Sequence, residues 1–124
     1  MLLNYDNIGH TIAHEILHGF DSRSYNPILR NNNKLNFTQM SIENFKEKSD
    51  CFVRQYGMEK ESITNRNING SKTLDENIAD NGGFKIAHRA YMKYLQSICC
   101  KNLVVPGFED FTNEQFFFIS FGRN

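Results

Sequence analysis

The sequence has no excess of charge, no long apolar run and no even count of cysteines. Fourteen Lys and Arg residues balance fourteen Asp and Glu residues, so the formal charge is zero. With no basic face and no acidic tail, the composition argues against nucleic acid as a partner. The longest apolar stretches are far too short to span a bilayer, and Met1-Leu2-Leu3 is not a signal peptide. Cys51, Cys99 and Cys100 are odd in number, and neighbours such as Cys99 and Cys100 pair poorly with each other. A free thiol, or a partner outside the chain, is therefore expected. A chain of 124 residues suggests one domain, able to bury about two-thirds of its unfolded surface around one modest core. Asn36-Phe37-Thr38 and Asn69-Gly70-Ser71 are glycan acceptors if the chain is secreted.

What is present centres on His14-Glu15-Ile16-Leu17-His18. Residues four apart on a helix lie one turn above each other on the same face. His14 and His18 can thus offer imidazole nitrogens to one metal ion, with the Glu15 carboxylate beside them to deprotonate water. This is the zinc-hydrolase arrangement. Ile8, Ile12, Ile16, Leu17 and Ala13 form an apolar stripe of helical period, which puts the histidine pair at the edge of a buried face. Asp6 or Asn7 is placed to cap the start and Gly19 to close the end. His10 and His14 are also four apart, a second way to hold a metal. Only the later pair has a glutamate directly after its first histidine, so His10 reads as a bystander.

Residues 21–36 read as a loop broken by Pro27. Thr38 caps a second helix to Tyr56, with Ile42, Phe45, Phe52, Val53 and Tyr56 at helical spacing and Gly57 placed to end it. Cys51 on this helix is either a small buried hydrophobe or half of a disulfide. Met58 to Lys72 is a polar surface loop. A third helix runs from Thr73 to about Ile98, with Ile78, Ile86, Ala90, Tyr91, Tyr94 and Leu95 inward. Gly82 and Gly83 inside it each cost about 1 kcal/mol relative to Ala. Such a penalty points to close backbone packing or a kink. Lys101 to Asp110 forms a turn region, and Thr112-x-x-Gln115 is a capping box opening a fourth helix. Phe116, Phe117, Phe118, Ile119 and Phe121 leave that helix almost no polar face, so it demands burial beyond what four helices supply.

A catalytic zinc site usually needs three protein ligands. Glu76 is the best third candidate. Asp80, four residues on, can accept a hydrogen bond from a ligand histidine, and Asp21 can do the same for His18. Thr73-x-x-Glu76 is itself a capping box, however, and spacing alone leaves Glu76 open between cap and ligand.

Two segments carry a family resemblance. His14-Glu15-Ile16-Leu17-His18-Gly19-Phe20-Asp21 resembles the zinc motif of the neprilysin-type (M13) metallopeptidases. Glu76-Asn77-Ile78-Ala79-Asp80-Asn81-Gly82-Gly83 resembles their glutamate-ligand motif, and the gap between them (76 − 18 = 58 residues) also fits. Similarity extends through Asn44-Phe45-Lys46-Glu47, Cys51, Gln55-Tyr56-Gly57, Arg89-Ala90-Tyr91 and Pro106-Gly107 to Phe117-Phe118.

The resemblance implies a mainly α fold, a gluzincin-like helical catalytic region, with residues 1–124 as a single partial catalytic domain. It implies one zinc ion on His14, His18 and Glu76, with Glu15 as the base and Asp21 and Asp80 orienting the ligand histidines. The implied activity is zinc-dependent endopeptidase cleavage of short peptides, in an extracellular or membrane-anchored setting. It implies a disulfide partner for Cys51 far upstream. Against the family pattern, the sequence lacks the N-terminal region, the segment that pairs with substrate backbone, and the downstream histidine and arginine. Ser22-Arg23-Ser24 replaces an acidic-and-glycine turn, and the paired tryptophans are missing. A truncated or degenerate copy is expected, weak alone because each lost oxyanion donor costs about 100- to 1,000-fold. The alternative is a non-catalytic zinc-binding relic or interaction module of the same family.

Overall fold

A computed structural model describes residues 4–24, 38–98 and 106–122. A π-helical turn, Tyr5–Gly9, leads into α1, His10–Leu17, and a 3-10 turn, His18–Phe20. Then follow α2, Gln39–Met58, α3, Leu74–Ser97, and α4, Asn113–Phe121. Among the described residues the β structure is an isolated antiparallel bridge between Lys60 and Asn67. The fold is mainly α, as expected. The loop from residue 25 to 36, the Asn36 sequon, Cys99 and Cys100, and the turn residues 101–105 lie outside the described residues.

The chain divides into two compact units. The first comprises residues 1–15 and 81–124. Its core is Ala87, Tyr91 and Phe117, with Tyr5, Phe84, Met92 and Leu95 packed against it. Tyr91 and Phe117 stack at 5.2 Å between ring centroids, and Phe84 meets Phe121 edge-on at 4.6 Å. The Tyr91 hydroxyl donates to the Asn113 carbonyl at 2.9 Å. Burial, with the nearby Asp6 charge, pushes that phenol up to about 12. α4 opens with the expected capping box: Gln115 N–H donates to Thr112 Oγ1 at 3.2 Å and Thr112 N–H to Gln115 Oε1 at 2.9 Å. It buries Phe116 and Phe117 but leaves Phe118 half exposed.

Three local expectations shift in this unit. Helical backbone already begins before Asp6, and Asp6 is buried rather than capping; neither of its oxygens has a hydrogen-bond partner among the described residues. α1 turns Ala13 inward, whereas Ile8 and Ile12 are exposed. α3 buries Ala87 and Tyr91 and leaves Ile86 and Ala90 exposed. Gly83 supplies the reason. A Cβ there would lie 2.9 Å from His14 N, 3.1 Å from His14 Cα and 3.3 Å from His10 O. The two helices meet backbone to backbone at that glycine, and small residues, not the large aliphatic ones, set which face turns in.

The second unit comprises residues 16–80. Thr38 caps α2 by accepting from Ser41 N–H at 3.2 Å. Ile42, Phe45, Phe52, Val53 and Tyr56 are half-buried on the face that carries buried Ser49. The helix runs one residue past Gly57, within the usual scatter of helix ends. Cys51 is exposed with a free thiol, which sets aside the buried-hydrophobe alternative. Ile16 and Phe20 are exposed, Phe20 by 66%. The loop 59–73 is tied down. Glu61 accepts Ile63 and Thr64 N–H at 2.8 and 2.7 Å, and Asn67 Nδ2 donates to Gly57 O at 2.8 Å. Gly70 is buried against α2, where a Cβ would lie 2.2 Å from the Val53 carbonyl oxygen.

Candidate metal centre

His14 and Glu15 sit on α1, and His18 opens the 3-10 turn that follows. His14 is half-buried beside the Gly83 contact; Glu15, next to it, is exposed. His18 Nδ1 lies 3.0 Å from Asp21 Oδ2. A carboxylate in that place keeps the ring proton on Nδ1 and leaves the Nε2 lone pair outward. Nε2 faces Glu76 Oε2 at 3.6 Å. Glu76 belongs to the first turn of α3 and is 55% exposed.

The cap alternative for Glu76 can be judged from Thr73. Thr73 N–H donates to the Asn69 carbonyl at 3.2 Å, and its hydroxyl accepts from Asn77 Nδ2 at 2.8 Å. The helix start is held by Asn69 and Asn77, while the Glu76 carboxylate turns to His18.

Asp21 is buried, and its Oδ1 accepts Ser24 N–H at 2.9 Å. The Ser24 hydroxyl donates to the His18 carbonyl at 2.5 Å. These bonds fold residues 18–24 into one tight turn around the His18 ring. Asp80 stands one turn after Glu76 on α3 and is exposed. His10 stands one turn before His14, with ring centroids 6.0 Å apart, and meets Phe121 edge-on at 4.9 Å. Within the second unit, His18 and Glu76 bring an imidazole nitrogen and a carboxylate oxygen to 3.6 Å of each other. Imidazole plus carboxylate is a donor set that suits zinc.

Sequence reading assigned no role to Ser22, Arg23 or Asp75. Asp75 Oδ1 accepts Ser22 N–H at 3.0 Å and also the Ser22 hydroxyl; Asp75 Oδ2 accepts Arg23 Nε at 2.6 Å. Burial alone would raise the Asp75 carboxyl, but the hydrogen bonds from Ser22 and Arg23 outweigh it and hold it below the usual range. Arg23 is raised in turn by Asp75. No local pattern links positions more than fifty apart; opposite charge was the one available signal.

The Peptidase family M13 model matches residues 1–124, and the chain belongs to that family. It is 41% identical over 123 residues to membrane metallo-endopeptidase-like 1 of Homo sapiens, covering 98% of this chain and 15% of that protein. It is 43% identical over 127 residues to neprilysin of Homo sapiens and 40% over 123 residues to neprilysin-1 of Caenorhabditis elegans. Each match covers 98% of this chain and 16% of the relative. The chain thus spans about one-sixth of the length of these relatives. Among the described residues no helix is long and apolar enough to cross a membrane.

Proposed function

We propose that residues 1–124 form part of one zinc endopeptidase catalytic domain, in which His14, His18 and Glu76 hold a single zinc ion. The observation that carries this reading is the 3.6 Å approach of His18 Nε2 to Glu76 Oε2, with Nδ1 turned to Asp21. His14 joins them because it lies one helical turn before His18. When bound, zinc supplies Lewis acidity toward a peptide carbonyl and toward water. Glu15 takes the proton of the attacking water on its carboxylate and returns it to the leaving amine nitrogen. Asp21 fixes the His18 tautomer; Asp80 does the same for His14.

The substrates are peptides. The setting is extracellular or membrane-anchored, in keeping with the name of the human relative membrane metallo-endopeptidase-like 1. Exposed Cys51 pairs there with a cysteine outside this chain. Metal analysis of the purified full chain tests the centre. About one zinc per chain is expected, lost in His18→Ala and in Glu76→Ala. A folded, metal-free parent after zinc loading refutes it. Glu15→Gln separates catalysis from binding: it keeps zinc and loses peptide hydrolysis. A zinc-loaded parent that cuts no peptide assigns the non-catalytic zinc-binding role instead.

A further inference from the structure

The turn after His18 is closed onto the start of α3 through one carboxylate. Asp75 receives three donors from two consecutive residues, Ser22 N–H, the Ser22 hydroxyl and Arg23 Nε. Its neighbour Glu76 is shared: Oε2 faces His18 Nε2 at 3.6 Å, and Oε1 lies 3.8 Å from Arg23 Nη2. On the far side of the same turn, Asp21 holds both His18 Nδ1 and Ser24 N–H. Residues 18–24 and 75–76 therefore make a closed circuit of polar contacts.

Magnitudes decide which member matters. The Arg23–Glu76 contact is long and exposed, and such a pair contributes about 0–1 kcal/mol. Asp75 is different: its side chain is 14% exposed, and both carboxylate oxygens accept charge-assisted bonds. Asp75 anchors Arg23, and the anchored guanidinium then lies 3.8 Å from one oxygen of Glu76.

We propose that Arg23 and Asp75 act as positioning residues for the metal ligand Glu76, reserving Oε1 for Arg23 and leaving Oε2 alone to meet the ion beside His18. This rests on the zinc reading above. The clamp fixes the spacing between the His18 turn and the α3 start, and it keeps Glu76 a one-oxygen ligand. Disrupting groups that orient a ligand typically costs about 10- to 100-fold in metal affinity.

The test is zinc competition against a chromophoric chelator on the full chain, with the cobalt(II)-loaded protein read by visible absorption. Asp75→Asn is expected to weaken zinc by about 10- to 100-fold and to lower the cobalt band intensity as Glu76 takes the metal with both oxygens. Arg23→Gln should act in the same direction more weakly. The double variant should be no worse than Asp75→Asn alone. Variants that fold by circular dichroism and match the parent in affinity and spectrum overturn the proposal. If Asp75→Asn does not fold, Arg23→Gln, at an exposed side chain, carries the test by itself. A folded parent that binds no zinc fails the metal reading instead, before the clamp is reached.

Discussion

Gly83 lets two effects of one methyl group be compared. In a helix interior, Gly→Ala gains about 1 kcal/mol of propensity. Here the new Cβ meets His14 backbone atoms at 2.9 and 3.1 Å, which cannot swing aside as a flexible side chain does. Overpacking of this sort costs about 1–3 kcal/mol, so Gly83→Ala should lower the urea midpoint despite the better propensity. A raised midpoint would contradict the close approach. Asp6 should respond in the opposite sense. It is buried with both oxygens unpartnered among the described residues. Leaving a buried polar group unsatisfied costs about 1–3 kcal/mol, so Asp6→Ala should raise Tm in thermal denaturation. Asp75 gives a pH prediction. Its folded-state value lies below the ordinary 3.8, so its contribution is present above that value and is lost as pH falls through the folded one. In metal-free protein, the urea-midpoint gap between parent and Asp75→Asn should therefore be full near neutrality and close in acid. A gap that is unchanged in acid would remove the electrostatic account.

At the scale of the element, the starts of α2 and α4 are set by short-range bonds, which is why they were legible. The Thr112–Gln115 box and the Thr38 cap each involve donors and acceptors three residues apart. Thr112→Ala should destabilise the chain by about 1 kcal/mol, measured by urea denaturation; no change would mean α4 is held by its buried phenylalanines alone. Faces were less legible than starts. Hydrophobic period placed Ile8, Ile12, Ile16 and Leu17 inward together with Ala13, and of these Ala13 is the one that is buried. Period finds an apolar stripe, but not which neighbour approaches most closely. On α3 the same limit applies: Gly83, Ala87 and Tyr91, four apart, form the inner line, and Ile86, one residue off it, turns out.

For the whole molecule, the candidate centre was legible where its residues are neighbours in sequence and opaque where they are not. His14, Glu15 and His18 announce themselves within five positions. Glu76 needed a second motif, and spacing alone left it between two roles; in the fold its Oε2 lies 3.6 Å from His18 Nε2. Ser22, Arg23 and Asp75 carry no motif; only folding brings residues 52 apart to 2.6 Å. The chain spans about one-sixth of its relatives' length, and in the first unit Ile8 and Ile12, four apart, are each more than half exposed. An apolar strip of this kind is an association liability. Ile12→Lys should thus reduce concentration-dependent light scattering, and equal scattering would show the strip to be harmless.

The seat of Gly70 bears on mutational tolerance. With Val53's carbonyl oxygen where the first side-chain carbon would stand, a library randomised at codon 70 and selected for folded protein should return glycine almost alone. The route of a fifteen-residue connection (59–73) would then hang on one absent methyl, and no surface substitution elsewhere in it would be so strictly policed.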